Sequence, residues 1–235
     1  MHHRSSMLQL EHIALRYDGG PEVLRDVELT LRRGEFVFLI GPSGAGKTSL
    51  LRVLALLQMP TGGRLTMFGE DVAQLRGDLR AAFRRRIGMV FQDLRLLDHL
   101  SVFDNVALPL RINGGRDEQI RSCVTDMLKW LGLREVIDAR PTALSMGERQ
   151  LVGVARAVIA RPSLLLCDEP TNNIDAKLAG QLMHLFAQLR KLGTTVVLAT
   201  HSEDLLERHP YPVLRLAAGR LSGPVQPASA LAAAD

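Results

Sequence analysis

The stretch Gly41-Pro42-Ser43-Gly44-Ala45-Gly46-Lys47-Thr48 follows the apolar run Phe36-Val37-Phe38-Leu39-Ile40 and precedes the helix-favouring Leu50-Leu51-Arg52-Val53-Leu54-Ala55-Leu56-Leu57. In order, this is strand, glycine-rich turn and helix, the context that turns the spacing G-x-x-x-x-G-K-[ST] into a phosphate-binding loop. Glycines at 41, 44 and 46, with Ser43 and Ala45 between them, let backbone N–H groups curl around an anion. The helix that begins there points its positive end at the same place. Lys47 adds a full charge near the β and γ oxygens of a bound nucleotide, Thr48 offers its hydroxyl to Mg²⁺, and Ser49 joins the nucleotide-contacting set. A turn that merely joined a strand to a helix would need neither the lysine nor the hydroxyl residue.

The chain has 235 residues, is 46% hydrophobic and carries a formal net charge of +4. That length fits one large α/β domain with a subdomain inserted in it. No stretch approaches the roughly 18 to 20 uninterrupted apolar residues that span a bilayer, and residues 1–6 lack the apolar centre of a signal peptide, so a cytoplasmic protein is expected. Cys123 and Cys167 have neither disulfide nor zinc spacing and are expected to be reduced and packed. The densest basic run, Arg84-Arg85-Arg86, is short and lacks interleaved aromatics. It reads as a solvated surface first, a lipid-headgroup contact second and a nucleic-acid contact last.

Outward from the glycine-rich loop, Leu8–Tyr17 alternates partly with period 2, and Val23–Leu31 alternates again with Val27, Leu29 and Leu31 on one side. With a short strand over Arg64–Phe68, these predict a small antiparallel sheet. Asp78–Arg86 is helical in character, and Ile87–Phe91 is an apolar strand that stops at Gln92. Residues 93–160 carry little strand signal. The spacing predicts a helix around Val102–Leu110 that ends near Pro109, and Ile120, Val124, Met127, Leu128 and Leu131 mark an amphipathic helix over Asp117–Leu131. Alternation of strand and helix then resumes with Leu164–Cys167, Ala176–Lys191 and Thr194–Thr200, the pattern of a mainly parallel sheet. A hairpin around Ala218-Gly219-Arg220 follows, and Pro/Ala composition from Pro224 suggests a frayed tail. The expected organisation is a leader (1–6), one domain over 7–226 and a flexible tail (227–235). Within the domain, 7–92 and 161–226 form the nucleotide-binding core around the helical insertion 93–160.

Asp168 ends a buried strand, where a carboxylate reaches Mg²⁺ in a P-loop ATPase, and Glu169 follows, placed to polarise a water for attack on the γ-phosphate. Ser145-Met146-Gly147-Glu148 has the S-x-x-E spacing of a capping box and by itself describes a capped helix over Arg149–Ala160.

Taken together, these residues resemble the ATP-binding-cassette (ABC) ATPases over nearly the whole chain. Tyr17 matches the aromatic that stacks on adenine, residues 41–48 Walker A, and Gln92 the Q-loop glutamine that also reaches the metal. Residues 144–150 match the family signature, Asp168 and Glu169 Walker B with its catalytic glutamate, Asn173–Asp175 the D-loop, and His201 the switch histidine. The resemblance implies a P-loop α/β fold, ATP and Mg²⁺ as ligands, and a head-to-tail homodimer formed on ATP. There Ser145, Gly147 and Glu148 meet the nucleotide of the other copy, while Lys47, Gln92, Glu169 and His201 act in their own. Two departures stand out: Met146 where the family usually has glycine, and Asn172-Asn173-Ile174-Asp175 in the D-loop. A first-turn helical residue has negative φ and tolerates a side chain, so retained but slow hydrolysis is the expectation. A nucleotide-operated dimerisation module with little turnover is the other reading.

Within the family, Phe91-Gln92-Asp93-Leu94-Arg95-Leu96-Leu97 and Asn105-Val106-Ala107-Leu108-Pro109-Leu110 resemble the cell-division branch, the FtsE type. The lipoprotein-releasing and macrolide-exporter branches share much of this segment. The resemblance implies a membrane partner of FtsX type docked at the Q-loop and helical subdomain, a position on the inner face of the bacterial plasma membrane, control of cell-wall hydrolysis, and no nucleic-acid partner.

Overall fold

A computed structural model describes residues 6–225. The chain runs β1 (Leu8–Arg16), β2 (Glu22–Leu31), β3 (Phe36–Ile40), α1 (Lys47–Leu54), β4 (Gly62–Met67), β5 (Glu70–Asp71), α2 (Gly77–Arg85) and β6 (Ile87–Val90). It continues through α3 (Val102–Ile112), α4 (Asp117–Trp130), α5 (Met146–Val158), β7 (Leu164–Asp168) and α6 (Ala176–Lys191). The last elements are β8 (Thr195–Ala199), α7 (Glu203–Arg208), β9 (Val213–Ala217) and β10 (Arg220–Val225). Two sheets result: a four-stranded antiparallel one in the order β2-β1-β4-β5, and a six-stranded one in the order β10-β9-β3-β8-β7-β6. In the larger sheet β9, β3, β8, β7 and β6 are parallel and β10 returns antiparallel to β9.

Uninterrupted apolar runs in β3, β7 and β8 have a direct reason, because both faces of the large sheet are buried. Val37, Leu39, Leu164, Leu166, Val197 and Ala199 join a core shared with the small sheet and α1. Their neighbours Phe36, Phe38, Leu165, Cys167, Val196 and Leu198 point the other way, into a core with α3, α4, α5 and α6. Period-2 alternation thus divides each strand between two cores. The buried face of α5 (Leu151, Val152, Val154, Ala155, Val158) packs in this second core, directly against the sheet.

Several expectations are corrected. Helix α3 does not end at Pro109 but continues to Ile112. Proline deletes one intrahelical bond, and the helix resumes because Asn113 N–H donates to the Pro109 carbonyl at 3.1 Å. Helix α1 stops at Leu54, with Leu56 at φ 56°, short of the full apolar run. Strand β10 carries Pro224 and Val225, which composition had assigned to a tail; proline is tolerated because β10 is an edge strand. The 227–235 tail lies outside the described residues, as do residues 1–5 of the leader. Helix α7, capped by Ser202, was not anticipated.

Cys167 is fully buried, but Cys123 on α4 is exposed, to one side of the buried stripe of Ile120, Val124 and Leu128, and is not packed. Burial, and secondarily the neighbouring Asp168 charge, push the Cys167 thiol far up. Titration of the native protein with a disulfide reagent is therefore expected to show one reactive thiol, the second appearing only in denaturant. Two fast thiols would contradict this packing.

Candidate nucleotide site

Parallel strands bring the distant motifs together, because β3, β7, β8 and β6 all end on the same edge of the sheet. The glycine-rich loop follows β3, Asp168 and Glu169 lie at the end of β7, His201 lies just past β8 and Gln92 just past β6. The loop turns through Gly44 and Gly46 at φ 76° and 103°, the second being the N-cap of α1. Gly41 has a further constraint: a Cβ there would lie 2.0 Å from the Leu216 carbonyl oxygen on β9. Lys47, at the first turn of α1, donates through Nζ to the carbonyls of Gly41 at 2.8 Å and Pro42 at 3.1 Å.

Thr48 Oγ1 donates to Asp168 Oδ2 at 2.7 Å. Asp168 is only 3% exposed, and burial raises its carboxyl above the usual range, an effect that the Thr48 hydroxyl bond opposes. Such a carboxylate calls for a cation. Thr48, Asp168 and Gln92 line one cavity of about 400 Å³ and present a hydroxyl, a carboxylate and an amide oxygen, the hard donor set that suits Mg²⁺.

Next to it, Lys47, Thr48, Gln92, Asp168, Glu169 and His201 share a cavity of about 470 Å³ with the glycine-rich loop. Glu169 Oε1 meets His201 Nδ1 at 2.7 Å. The Glu169 side chain is 11% exposed and that of His201 72%, so the pair sits at the cavity mouth. Glu169 adopts φ 53°, an unfavourable value for a side-chain-bearing residue. Its N–H is fixed to the Ala199 carbonyl on β8 at 3.0 Å.

Tyr17 is half-buried and its hydroxyl donates to Ser49 Oγ at 3.2 Å, which ties β1's end to α1. Ser145, Gly147 and Glu148 are not brought into the Lys47 cavity. They begin α5 as a capping box: Glu148 Oε2 accepts from Ser145 N–H at 2.8 Å and from its hydroxyl at 2.7 Å, and Ser145 Oγ accepts from Glu148 N–H at 3.3 Å. The Ser145 bonds hold the Glu148 carboxyl below its usual range, so this side chain serves its own helix. Met146 is 53% exposed and is absent from the positive-φ residues, in keeping with a first-turn helical position. Gly147 allows a close approach, since a Cβ there would lie 3.0 Å from the Asn173 carbonyl. Asp175 caps α6 by accepting from Leu178 N–H at 2.9 Å.

Two further side chains of α5 hold the loops of the site: Gln150, the last residue of the signature segment, and Arg156, to which the sequence assigned no role. Gln150 on α5, 3% exposed, donates to the carbonyls of Pro170 at 2.9 Å and Glu169 at 3.4 Å, and so holds the backbone that carries Glu169. Arg156, two turns further along, donates to the carbonyls of Leu94 and Arg95. A signal existed for Arg156, a charged residue inside the apolar run of α5. What it bonds to could not be read from spacing.

A strand–glycine loop–helix cradle, a buried carboxylate on the second strand over and an acid paired with histidine define a P-loop nucleoside triphosphatase. The chain belongs to the ABC transporter family, whose model matches residues 24–172, and it is an ATP-binding ATPase subunit. Among relatives, it is 41% identical over 219 residues to the cell division ATP-binding protein FtsE of Escherichia coli K12, covering 93% of this chain and 99% of that one. It is also 40% identical over 220 residues to the methionine import ATP-binding protein MetN of Cupriavidus metallidurans, covering 92% of this chain but 64% of the relative. The dimeric post-hydrolysis state of the ATP-binding cassette MJ0796 bound to ADP and phosphate superimposes with a TM-score of 0.86 at 31% identity, covering 92% and 97% of the two chains. No described helix is long and apolar enough to cross a membrane.

Proposed function

We propose that this chain is the ATPase of an FtsEX-type complex, in which ATP-driven dimerisation acts through an FtsX-type membrane partner on cell division and cell-wall hydrolysis. The observation that carries this reading is 41% identity to FtsE spread over 99% of that protein's length. Two copies close head to tail on ATP, and the Ser145–Gly147 cap of one supplies N–H groups to the γ-phosphate held by Lys47 of the other. Its position outside the Lys47 cavity supports this arrangement. Tyr17 stacks on adenine. Thr48, Gln92 and Asp168 hold Mg²⁺, which when bound neutralises charge on the β and γ oxygens. Glu169 accepts a proton from the attacking water, and His201, bonded to Glu169, holds the γ-phosphate side of the site.

The membrane partner docks on the open groove of about 410 Å³ beside the Q-loop, between Arg84, Arg85 and Phe91 on one wall and Pro109 and Ile112 on the other. Arg84, Arg85 and Arg86 are exposed, as a solvated run should be, and the Arg86 guanidinium also stacks 3.6 Å over the Phe68 ring. Seated there, the complex lies on the inner face of the plasma membrane.

The 40% identity to MetN supports a second reading, the ATPase of an importer. Co-expression with an FtsX-type and a MetN-type permease partner separates the two. Stable co-purification with, and stimulation of ATP turnover by, the FtsX-type protein alone is expected. Stimulation by the import permease would sink the division role. No turnover with partner above that of Glu169→Gln would leave the low-turnover module suggested by Met146.

A further inference from the structure

The turn after Gln92 is the wall between two cavities. On one side Phe91, Gln92 and Arg95 face Thr48 and Asp168. On the other, Phe91 and Arg95 line the groove, together with Arg156. The turn has an unfavourable shape: Leu94 and Arg95 are consecutive non-glycine residues at φ 56° and 46°. Such residues persist only where their surroundings over-determine them.

Within the turn, Leu94 N–H bonds the Phe91 carbonyl at 3.0 Å and Arg95 N–H bonds Asp93 O at 2.6 Å, with Arg95 Nε pairing to Asp93 Oδ1 at 3.2 Å. The outside hold comes from α5. Leu94 packs on Gly153, where a Cβ would lie 3.2 Å from Leu94 Cδ2. One helical turn on, Arg156 Nη1 donates to the Arg95 carbonyl at 2.7 Å and Nη2 donates to the Leu94 carbonyl. Arg156 has no carboxylate partner among the described residues. Burial lowers its pKa, and its two terminal nitrogens meet the carbonyls of the two left-handed residues.

We propose that Arg156 is a positioning residue for the reaction: by gripping the Leu94 and Arg95 carbonyls it keeps the turn left-handed and sets where Gln92 stands against Thr48 and Asp168. The inference rests on the reading of Gln92 as a nucleotide-site residue. It has a consequence for coupling, because a partner in the groove meets Arg95 and Arg156 and so acts on the same bonds.

The test uses the full chain with Arg156→Lys, which keeps the charge but replaces the rigid two-nitrogen fork with a single ammonium on a flexible stem, and Leu94→Gly, which adopts positive φ unaided. In Arg156→Lys, amide exchange over residues 93–97 should rise about 10-fold while that of α5 and β6 stays as in wild type. ATP turnover should fall about 10-fold through kcat, with affinity for a fluorescent ATP analogue changed less than about threefold. Adding Leu94→Gly should recover much of that loss, since the strained residue then needs less help. Unchanged exchange over 93–97 overturns the proposal, as does a rise spread evenly through α5 and β6 with a lowered Tm. If wild type turns over no faster than Glu169→Gln, the ATPase reading fails, and the exchange measurement still decides the role of Arg156.

Discussion

Replacement of Glu169 by glutamine is expected to lower steady-state ATP turnover by at least about 100-fold, the span a positioned general base contributes, while leaving ATP binding in place. Glutamine matches the size of glutamate and keeps an oxygen for His201, which Glu169 meets at 2.7 Å, but cannot accept the proton of an attacking water. The backbone is insensitive to the change. The left-handed Glu169 is held by its N–H bond to Ala199 and by Gln150 on its carbonyl, and neither uses the side chain. The variant should therefore fold as wild type and, with ATP, accumulate as a dimer on size exclusion where wild type cycles back to monomer. Turnover within a few-fold of wild type would remove Glu169 from the role of base.

A large loss of stability is expected at a position with no chemistry. A Cβ at Gly88 would lie 2.2 Å from the Ala157 carbonyl oxygen and 2.9 Å from Pro162 Cγ. The first obstacle is backbone and cannot rotate away. In Gly88→Ala either β6 leaves its register with β7, where Gly88 faces Leu165, or α5 moves off the sheet. Overpacking of this kind costs about 1–3 kcal/mol, and a backbone obstacle belongs at the upper end. For a domain of this size, that corresponds to a fall in Tm of about 6–12 °C. Activity should fall further than stability alone explains, because α5 carries Gln150 and Arg156. Gly180→Ala is the matched control: it lies inside α6 with no atom within 4 Å of its Cβ, and should raise stability by up to about 1 kcal/mol. Equal melting temperatures for Gly88→Ala and wild type would contradict the α5–β6 contact.

Particular elements show how much was legible beforehand. Strand β3 and helix α6 run from Phe36 to Ile40 and from Ala176 to Lys191, the spans read from apolar runs and flanking turn residues. The turn at 41–48 between β3 and α1, and the place of Asp168 and Glu169 at the end of β7, were legible because a glycine-rich turn and a buried strand each leave a local signature in spacing. Pro109 misled, since its penalty is local whereas α3 is held by packing of Val102, Val106 and Ala107 in the second core. Cys123 misled for a related reason: composition says how often cysteine is buried, and helical phase places this one outward.

By itself, then, the amino-acid sequence determined most of the strands and helices, the glycine-rich loop and the carboxylate pair, which depend on residues near one another in the chain, and the family register, which depends on the order of short motifs. Only the tertiary structure decided which side chains meet: Thr48 with Asp168, Glu169 with His201, Tyr17 with Ser49, and Gln150 and Arg156 with the backbone of two different loops. The parallel sheet makes those meetings by carrying the ends of four strands to one edge, a long-range arrangement that no local spacing encodes. It also left the Ser145–Gly147 cap outside the cavity that Lys47 lines.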